Sequence, residues 1–163
     1  GIVMTSFAVS TVAGVPLGLI LAEHGGWNLP FIAIAALVGV LAIQAALPHL
    51  SGGGRIITIG SNTAVRSGSP GSSLYAMSKA AVAALVRELA LELAPRGITI
   101  NNLQPGPTAT DITAGLDEML AARVPLGRIA QPAEIASLAS WVAGPEAGYM
   151  TGSSLTIDGG FIL

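Results

Sequence analysis

The chain changes its hydrophobic rhythm near residue 50. From Gly1 to Ala22 no charged side chain occurs, over a length that could span a bilayer. Glu23-His24-Gly25-Gly26-Trp27-Asn28 makes a polar break. Its glycine pair reads as a turn, and Asn28 ahead of Pro30 as a helix start. Leu29 to Pro48 is a second apolar run, with Gln44 as its one amide. The pattern predicts a hairpin of two apolar helices over residues 1–48. Gly14, Pro16 and Gly18 suit a membrane helix better than a water-exposed one. Two buried helices of a soluble fold are the alternative, because hydropathy alone does not separate the two cases.

From residue 49 onward the rhythm alternates. Arg55-Ile56-Ile57-Thr58-Ile59 is a short β-branched run with Ser51 to Gly54 as a turn before it and Gly60-Ser61 after it. A loop of Ser, Gly and Pro follows. A helix is expected from about Leu74 to Ala94, with Val82, Leu85, Val86, Leu89 and Leu93 on its dry side and Arg87, Glu88 and Glu92 on its wet side. Pro95-Arg96-Gly97 stops it. Ile98 to Leu103 reads as a second strand ended by Pro105-Gly106. Gln131-Pro132 opens another helix, with Ile135, Leu138, Ala139 and Val142 on one face, closed by Gly144-Pro145. Ser154 to Ile157 is a third strand before Asp158-Gly159-Gly160. Strands alternating with helices imply an α/β fold with a parallel sheet of about three strands and right-handed crossovers. Ligands of such sheets sit at the carboxyl ends of strands. Ser61, Gln104 to Gly106, and Asp158 to Gly160 all fall there.

Composition sharpens this division. The 163 residues are 52% hydrophobic and only 10% charged, against about 25% charged in an ordinary soluble domain. All seven basic residues and eight of the nine acidic ones lie from Arg55 onward, Glu23 being the exception. Two segments with different histories are expected, 1–48 and 49–163. A net charge of -2 without basic clusters gives no reason to invoke nucleic acid. With no cysteine, disulfides, thiolate metal sites and cysteine nucleophiles are excluded. His24 and His49 lack a partner at ligand spacing and read as loop residues, so no metal is expected.

The stretch Ser73-Leu74-Tyr75-Ala76-Met77-Ser78-Lys79-Ala80-Ala81 carries the candidate chemistry. Tyr75 and Lys79 are four apart at the start of a helix, hence on one face. A phenol titrates near ~10 when unperturbed, and a neighbouring cation favours its charged form. Such a pair could exchange a proton with an alcohol or carbonyl. Alone, the spacing arises by chance in many chains. Ser61 adds a hydroxyl at the end of the preceding strand.

Five blocks in order give context to that pair: GRIITIGS (Gly54 to Ser61), YAMSK (Tyr75 to Lys79), RGITINNLQPGPTATD (Arg96 to Asp111), PLGRIAQPAEIA (Pro125 to Ala136) and YMTGSSLTIDGG (Tyr149 to Gly160). Together they resemble the C-terminal half of a short-chain dehydrogenase/reductase. The resemblance implies a partial Rossmann-like fold and an NAD(P)-dependent oxidoreductase acting on a carbonyl or secondary alcohol. By similarity, Tyr75 would be the general acid/base, Lys79 would assist it and hold the nicotinamide ribose, and Ser61 would bond the substrate oxygen. Thr110 would contact the nicotinamide end of NAD or NADP, with Pro105 and Gly106 shaping the loop beside it. Tyr75 as a core residue, Lys79 as a solvated lysine, Ser61 as a turn residue and Thr110 as the N-cap of a helix near Asp111 are the plainer readings. Asp158-Gly159-Gly160 reads as a tight turn.

Residues 1–48 resemble a helix pair of a major facilitator superfamily transporter, on GVPLG (Gly14 to Gly18) and LAEHGGWNLPF (Leu21 to Phe31). The changeover is expected between Val40 and Ser51, since AIQAALPHL (Ala42 to Leu50) resembles the end of a dehydrogenase helix. The family's glycine-rich cofactor turn and its Asn-Ala-Gly stretch are absent, and Leu29 to Leu50 lacks the asparagine the family usually places there. These features, with Gly1 in place of an initiator Met, predict a fragment or chimera whose unaided turnover is weak or absent. A membrane-embedded, transporter-derived fragment with a non-catalytic passenger is the rival, as is an association module. Helices over 31–48 and 74–94 would then pair copies, with Ala80, Ala83 and Ala84 allowing close approach. A cytoplasmic location is expected, membrane association through residues 1–48 being the alternative.

Overall fold

The computed structural model describes residues 39–67 and 70–163. The chain divides after Gln44 into two units, and the second, Ala45–Leu163, holds every element named below. Of the first unit, residues 39–44 are helical, and the helix runs on to 46. The predicted hairpin falls almost wholly outside the described residues. Among the described residues no helix is long and apolar enough to cross a membrane.

The second unit is a three-stranded parallel sheet in the order β1-β2-β3. Strand β1 is Arg55–Ile59, β2 is Thr99–Pro105 and β3 is Ser154–Ile157. Helix α1, Ser73–Leu93, connects β1 to β2. A short helix α2, Asp117–Ala121, and a longer α3, Pro132–Ala143, connect β2 to β3. Both connections are crossovers of the kind parallel pairing demands. Ile57 pairs with Asn101 and Thr58 with Asn102, while Asn102 pairs with Ser154 and Gln104 with Thr156.

Strand β2 is central and almost wholly buried. Its flanking Ile98 and its own Ile100 and Leu103 are sealed from solvent. Central parallel strands are usually continuous apolar runs. This one also buries Asn101, Asn102 and Gln104, and a buried amide costs free energy unless it is bonded. Each is bonded, to a neighbouring strand or to the turn that leads into β3. Asn102 spans three strands, accepting from Thr58 Oγ1 at 3.0 Å and donating to Ser154 Oγ at 3.2 Å. Asn101 donates to Met150 O at 2.9 Å and accepts from Ser153 N at 3.1 Å. Gln104 accepts from Thr156 Oγ1 at 3.1 Å.

Helix α1 lies against β2. Its buried stripe is Ala83, Val86, Ala90 and Leu93, the i, i+3, i+4 pattern of an amphipathic helix. The expected stripe is thus rotated: Val82, Leu85 and Leu89 are only half-buried, and two alanines take their place. Small residues let the helix sit close. Ala90 packs where a side chain at Gly152, in the turn before β3, would be crowded at 3.2 Å. This also corrects the expected association face, because Ala83 points into the core while Ala80 is exposed and Ala84 half-buried. Helix α3 lies against β1 and β2; of its predicted inward face Val142 is buried, while Ile135, Leu138 and Ala139 are half-buried.

Candidate functional site

The parallel strands put their carboxyl ends on one rim. Strand β1 ends at Ile59, and Gly60 then carries the chain past Asn102. A Cβ on Gly60 would lie 2.6 Å from Asn102 Oδ1, so glycine is required by close approach. Ser61 follows in an extended conformation and caps a 3-10 turn over Asn62–Ala64. Its hydroxyl accepts from Thr63 N at 3.2 Å and from Thr63 Oγ1 at 2.9 Å. Ser61 is 7% exposed and Asn62 3%.

Helix α1 packs against this turn. Lys79, one helical turn after Tyr75, reaches back to the β1 rim and donates to Ile59 O at 3.5 Å. Its Nζ lies 5.5 Å from the centroid of the Tyr75 ring, within cation–π range. Tyr75 is 51% exposed, which sets aside the reading of it as a core residue. Among the described residues no hydrogen bond engages its hydroxyl. The rim of β1, Lys79 and Tyr75 are therefore adjacent, and the Ser61 turn borders the same helix.

Strand β2 ends at Pro105, and Gly106 N donates to Ile157 O at 3.0 Å. A Cβ on Gly106 would meet the Cα of Asp158 at 2.7 Å, so this glycine lets the β2 loop press onto the turn after β3. Residues 108 and 130 then form an isolated bridge that closes the base of the excursion carrying α2. Thr110 lies outside this cluster. It is exposed, its Oγ1 donates to Thr108 O at 3.4 Å, and its N–H donates to Thr113 Oγ1 at 3.0 Å. It caps no helix, since residues 111–115 are turns and α2 starts only at Asp117.

The sequence reading missed Asn62. Its Nδ2 donates to Asp158 Oδ2 at 3.1 Å, tying the Ser61 turn to the end of β3. Asp158 also accepts from Gly160 N at 2.9 Å and Ile162 N at 3.2 Å. The expected tight turn is therefore present, with positive φ at Gly159 and Gly160, and its carboxylate is a hub as well. The available signal was a buried-looking Asn directly after the strand-end serine, with one acidic residue at another strand end.

The main electrostatic perturbation lies away from this rim. Glu134 accepts two hydrogen bonds from Arg128, both at 2.7 Å, and one from Gln131 N at 2.8 Å. These bonds, the arginine pair first, lower its carboxyl from 4.5 to about 2. A cavity of about 600 Å³ borders this pair, Asp117 and Ile129, and none of Ser61, Tyr75, Lys79 or Thr110 lines it.

A nicotinamide dinucleotide would find donors at the rim that suit its nicotinamide ribose: the Lys79 ammonium and the half-exposed Tyr75 phenol. Its pyrophosphate calls for backbone N–H groups where a strand turns directly into a helix. No such turn occurs among the described residues. Gly71, ahead of α1, follows a 3-10 turn and a loop.

Comparison with known proteins gives these contacts a setting. A family model described as Enoyl-(Acyl carrier protein) reductase matches residues 9–162. The match runs through the expected changeover and deep into the apolar N-terminal run, and the transporter resemblance finds no support. The chain is 45% identical over 112 residues to the cyclic-di-GMP-binding biofilm dispersal mediator protein of Escherichia coli, covering 67% of this chain and 47% of that protein. It is 40% identical over 114 residues to the 3-oxoacyl-[acyl-carrier-protein] reductase FabG of Vibrio cholerae, covering 68% of this chain and 46% of that protein. Among solved structures, a short-chain dehydrogenase/reductase of Serratia marcescens superposes with a TM-score of 0.73 at 46% identity, over 76% of this chain and 52% of that one. A short chain dehydrogenase of Burkholderia cenocepacia in complex with NADP superposes at 0.76 and 39% identity, over 85% and 56%. The chain spans about half the length of the curated relatives it matches.

Proposed function

The chain belongs to the short-chain dehydrogenase/reductase family, and from that premise we propose that it carries the proton-transfer machinery of an NAD(P)-dependent oxidoreductase acting on a carbonyl or secondary alcohol. The observation that carries this reading is the placement of Lys79, with its Nζ 3.5 Å from Ile59 O and 5.5 Å from the Tyr75 ring centroid. An ammonium thus sits between a solvent-facing phenol and the strand end that leads into Ser61.

When bound, the dinucleotide supplies or accepts the hydride. In the reducing direction Tyr75 gives its proton to the substrate oxygen as the carbonyl becomes an alcohol; in the oxidising direction it takes that proton back. Ser61 donates a hydrogen bond to the same oxygen. Lys79 holds the ribose hydroxyls and places a positive charge beside the ring. Thr110, exposed on the β2 loop, would contact the nicotinamide end of the cofactor, and Pro105 with Gly106 set where the loop begins. NADP is favoured as a ligand to try first, since related structures hold NADPH or NADP. The proposal keeps a cytoplasmic setting and a homo-oligomer that uses α1 through Ala80 and Ala84.

Reduced nicotinamide mononucleotide tests the site without the pyrophosphate. Saturation transferred from the protein to its ring protons is expected in the wild type and lost in Lys79→Ala. With NADPH and a 3-oxoacyl thioester or cyclic ketone, Tyr75→Phe should lower turnover by about 10²–10⁴, the usual span for a general acid. Transfer that survives Lys79→Ala, or turnover indifferent to Tyr75→Phe, overturns the assignment.

A further inference from the structure

The hydrogen bonds around Ser61 go further than its presence at the rim. A serine hydroxyl has one proton to give and two lone pairs to accept with. With the Thr63 hydroxyl as the donor of their shared bond, its O–H and the Thr63 N–H fill both acceptor positions of Ser61. Only the proton is left. It rests on Asn62 Oδ1 at 3.4 Å, beyond the usual range for an O–H donor. A proton held this loosely can turn to a substrate oxygen while the oxygen that carries it stays anchored. Ser61 is thereby set up to donate and not to accept.

Which end of the Asn62 amide faces Ser61 is decided by what the other end meets. An ionised carboxylate only accepts. Asp158 therefore demands the Nδ2 side of Asn62, and Oδ1 is left facing Ser61. A flipped amide would aim N–H groups at a serine oxygen whose acceptor positions are already taken, and would set oxygen against oxygen at Asp158. The carboxylate is in turn fixed by Gly160 N and Ile162 N, and its backbone by the close approach of Gly106. With Asn62 at 3% exposure, water competes little for these bonds.

From this geometry we infer that Asn62 and Asp158 are positioning residues, which act through the Ser61 hydroxyl to keep its proton directed at the substrate oxygen. The inference rests on the oxidoreductase reading above. It also makes the turn after β3 part of the same unit, 96 residues away in sequence.

The test is a cycle on the full chain. Asn62→Leu keeps the bulk and removes both polar ends; Asp158→Asn keeps the shape and removes the demand for a donor. Each should lower kcat for carbonyl reduction about tenfold while KM for NADPH stays unchanged. In a Ser61→Ala background neither should cause any further loss. Further loss in that background means that the pair merely holds the fold, and overturns the inference. Tyr75→Phe reports on the underlying reading: turnover indifferent to it sinks that reading, whereas Tyr75-dependent turnover indifferent to Asn62→Leu and Asp158→Asn sinks the positioning inference alone. A second measurement needs no turnover. The side-chain amide protons of Asn62 should be well separated in ¹⁵N-resolved NMR and exchange slowly, and Asp158→Asn should collapse both signatures. An unchanged Asn62 amide in that variant overturns the pairing.

Discussion

Replacing Gly60 by alanine tests the packing beneath the site with a single methyl group. Gly60 has no positive φ, so alanine meets no backbone strain there. The whole effect must come from contact. The new Cβ would lie 2.6 Å from Asn102 Oδ1, 2.9 Å from its Nδ2 and 3.1 Å from its Cγ. Asn102 is fully buried and cannot retreat without releasing Thr58 Oγ1 and Ser154 Oγ. Two side-chain hydrogen bonds are worth about 1–3 kcal/mol together, and buried groups left without partners cost more. The expected destabilisation is about 2–4 kcal/mol, a large share of the ~5–15 kcal/mol that holds a typical domain together. In urea, with a slope of about 1–3 kcal/mol per molar, the midpoint should fall by roughly 1–2 M. Asn102→Ala removes all three clashing atoms, so adding Gly60→Ala to it should cost little further. The cycle should therefore show a coupling of about 2 kcal/mol. A Gly60→Ala variant within about 0.5 kcal/mol of wild type, or one strictly additive with Asn102→Ala, would refute the account of this close approach.

Gly106→Ala should destabilise at least as much, and Asp158→Ala should not rescue it, because the clash includes the Asp158 backbone; urea midpoints of the two variants and their combination decide. Leu103→Ala, at a fully buried position of β2, should lose about 2–5 kcal/mol, read as a lowered melting temperature. Glu134 has its folded carboxyl near 2 instead of 4.5, so its contribution to stability is complete above about pH 4.5 and disappears as pH falls toward 2. Unfolding midpoints of wild type and Glu134→Gln should differ at pH 6 and converge near pH 2; a gap that widens on acidification contradicts the pairing with Arg128.

Much of the second unit was legible because its signals are local. Strands β1 and β3 lie where the β-branched runs end in glycine or acid-glycine turns. Helices α1 and α3 begin and end within a residue or so of their marked boundaries, since proline and glycine act on their own neighbourhood. Tyr75 and Lys79 were legible for the same reason, four residues apart on one helix. What escaped was non-local. Short α2 has little periodicity to read. The rotated stripe of α1 follows from how closely a helix can approach its sheet, which depends on Gly152 and Ala90 meeting in space. Asn62 and Asp158 are joined across 96 residues, and no spacing rule connects them. The N-terminal reading lies almost wholly outside the described residues, and its transporter resemblance finds no support. Long apolar stretches read alike in a bilayer and in a buried core, and the family match begins at residue 9, inside that run.

The amides of β2 also say something about how this sheet finds its alignment. Asn101 and Asn102 face opposite sides of the strand; Asn101 is bonded by Met150 O and Ser153 N, and Asn102 by Thr58 and Ser154. Sliding β2 by a single residue would turn every side chain over and leave three carboxamides sealed away from both water and partners. An aliphatic strand could tolerate such slippage as a near-degenerate trap. Here the misaligned states are the poorly solvated ones, so polarity at the centre of the sheet acts as a proofreading device during folding.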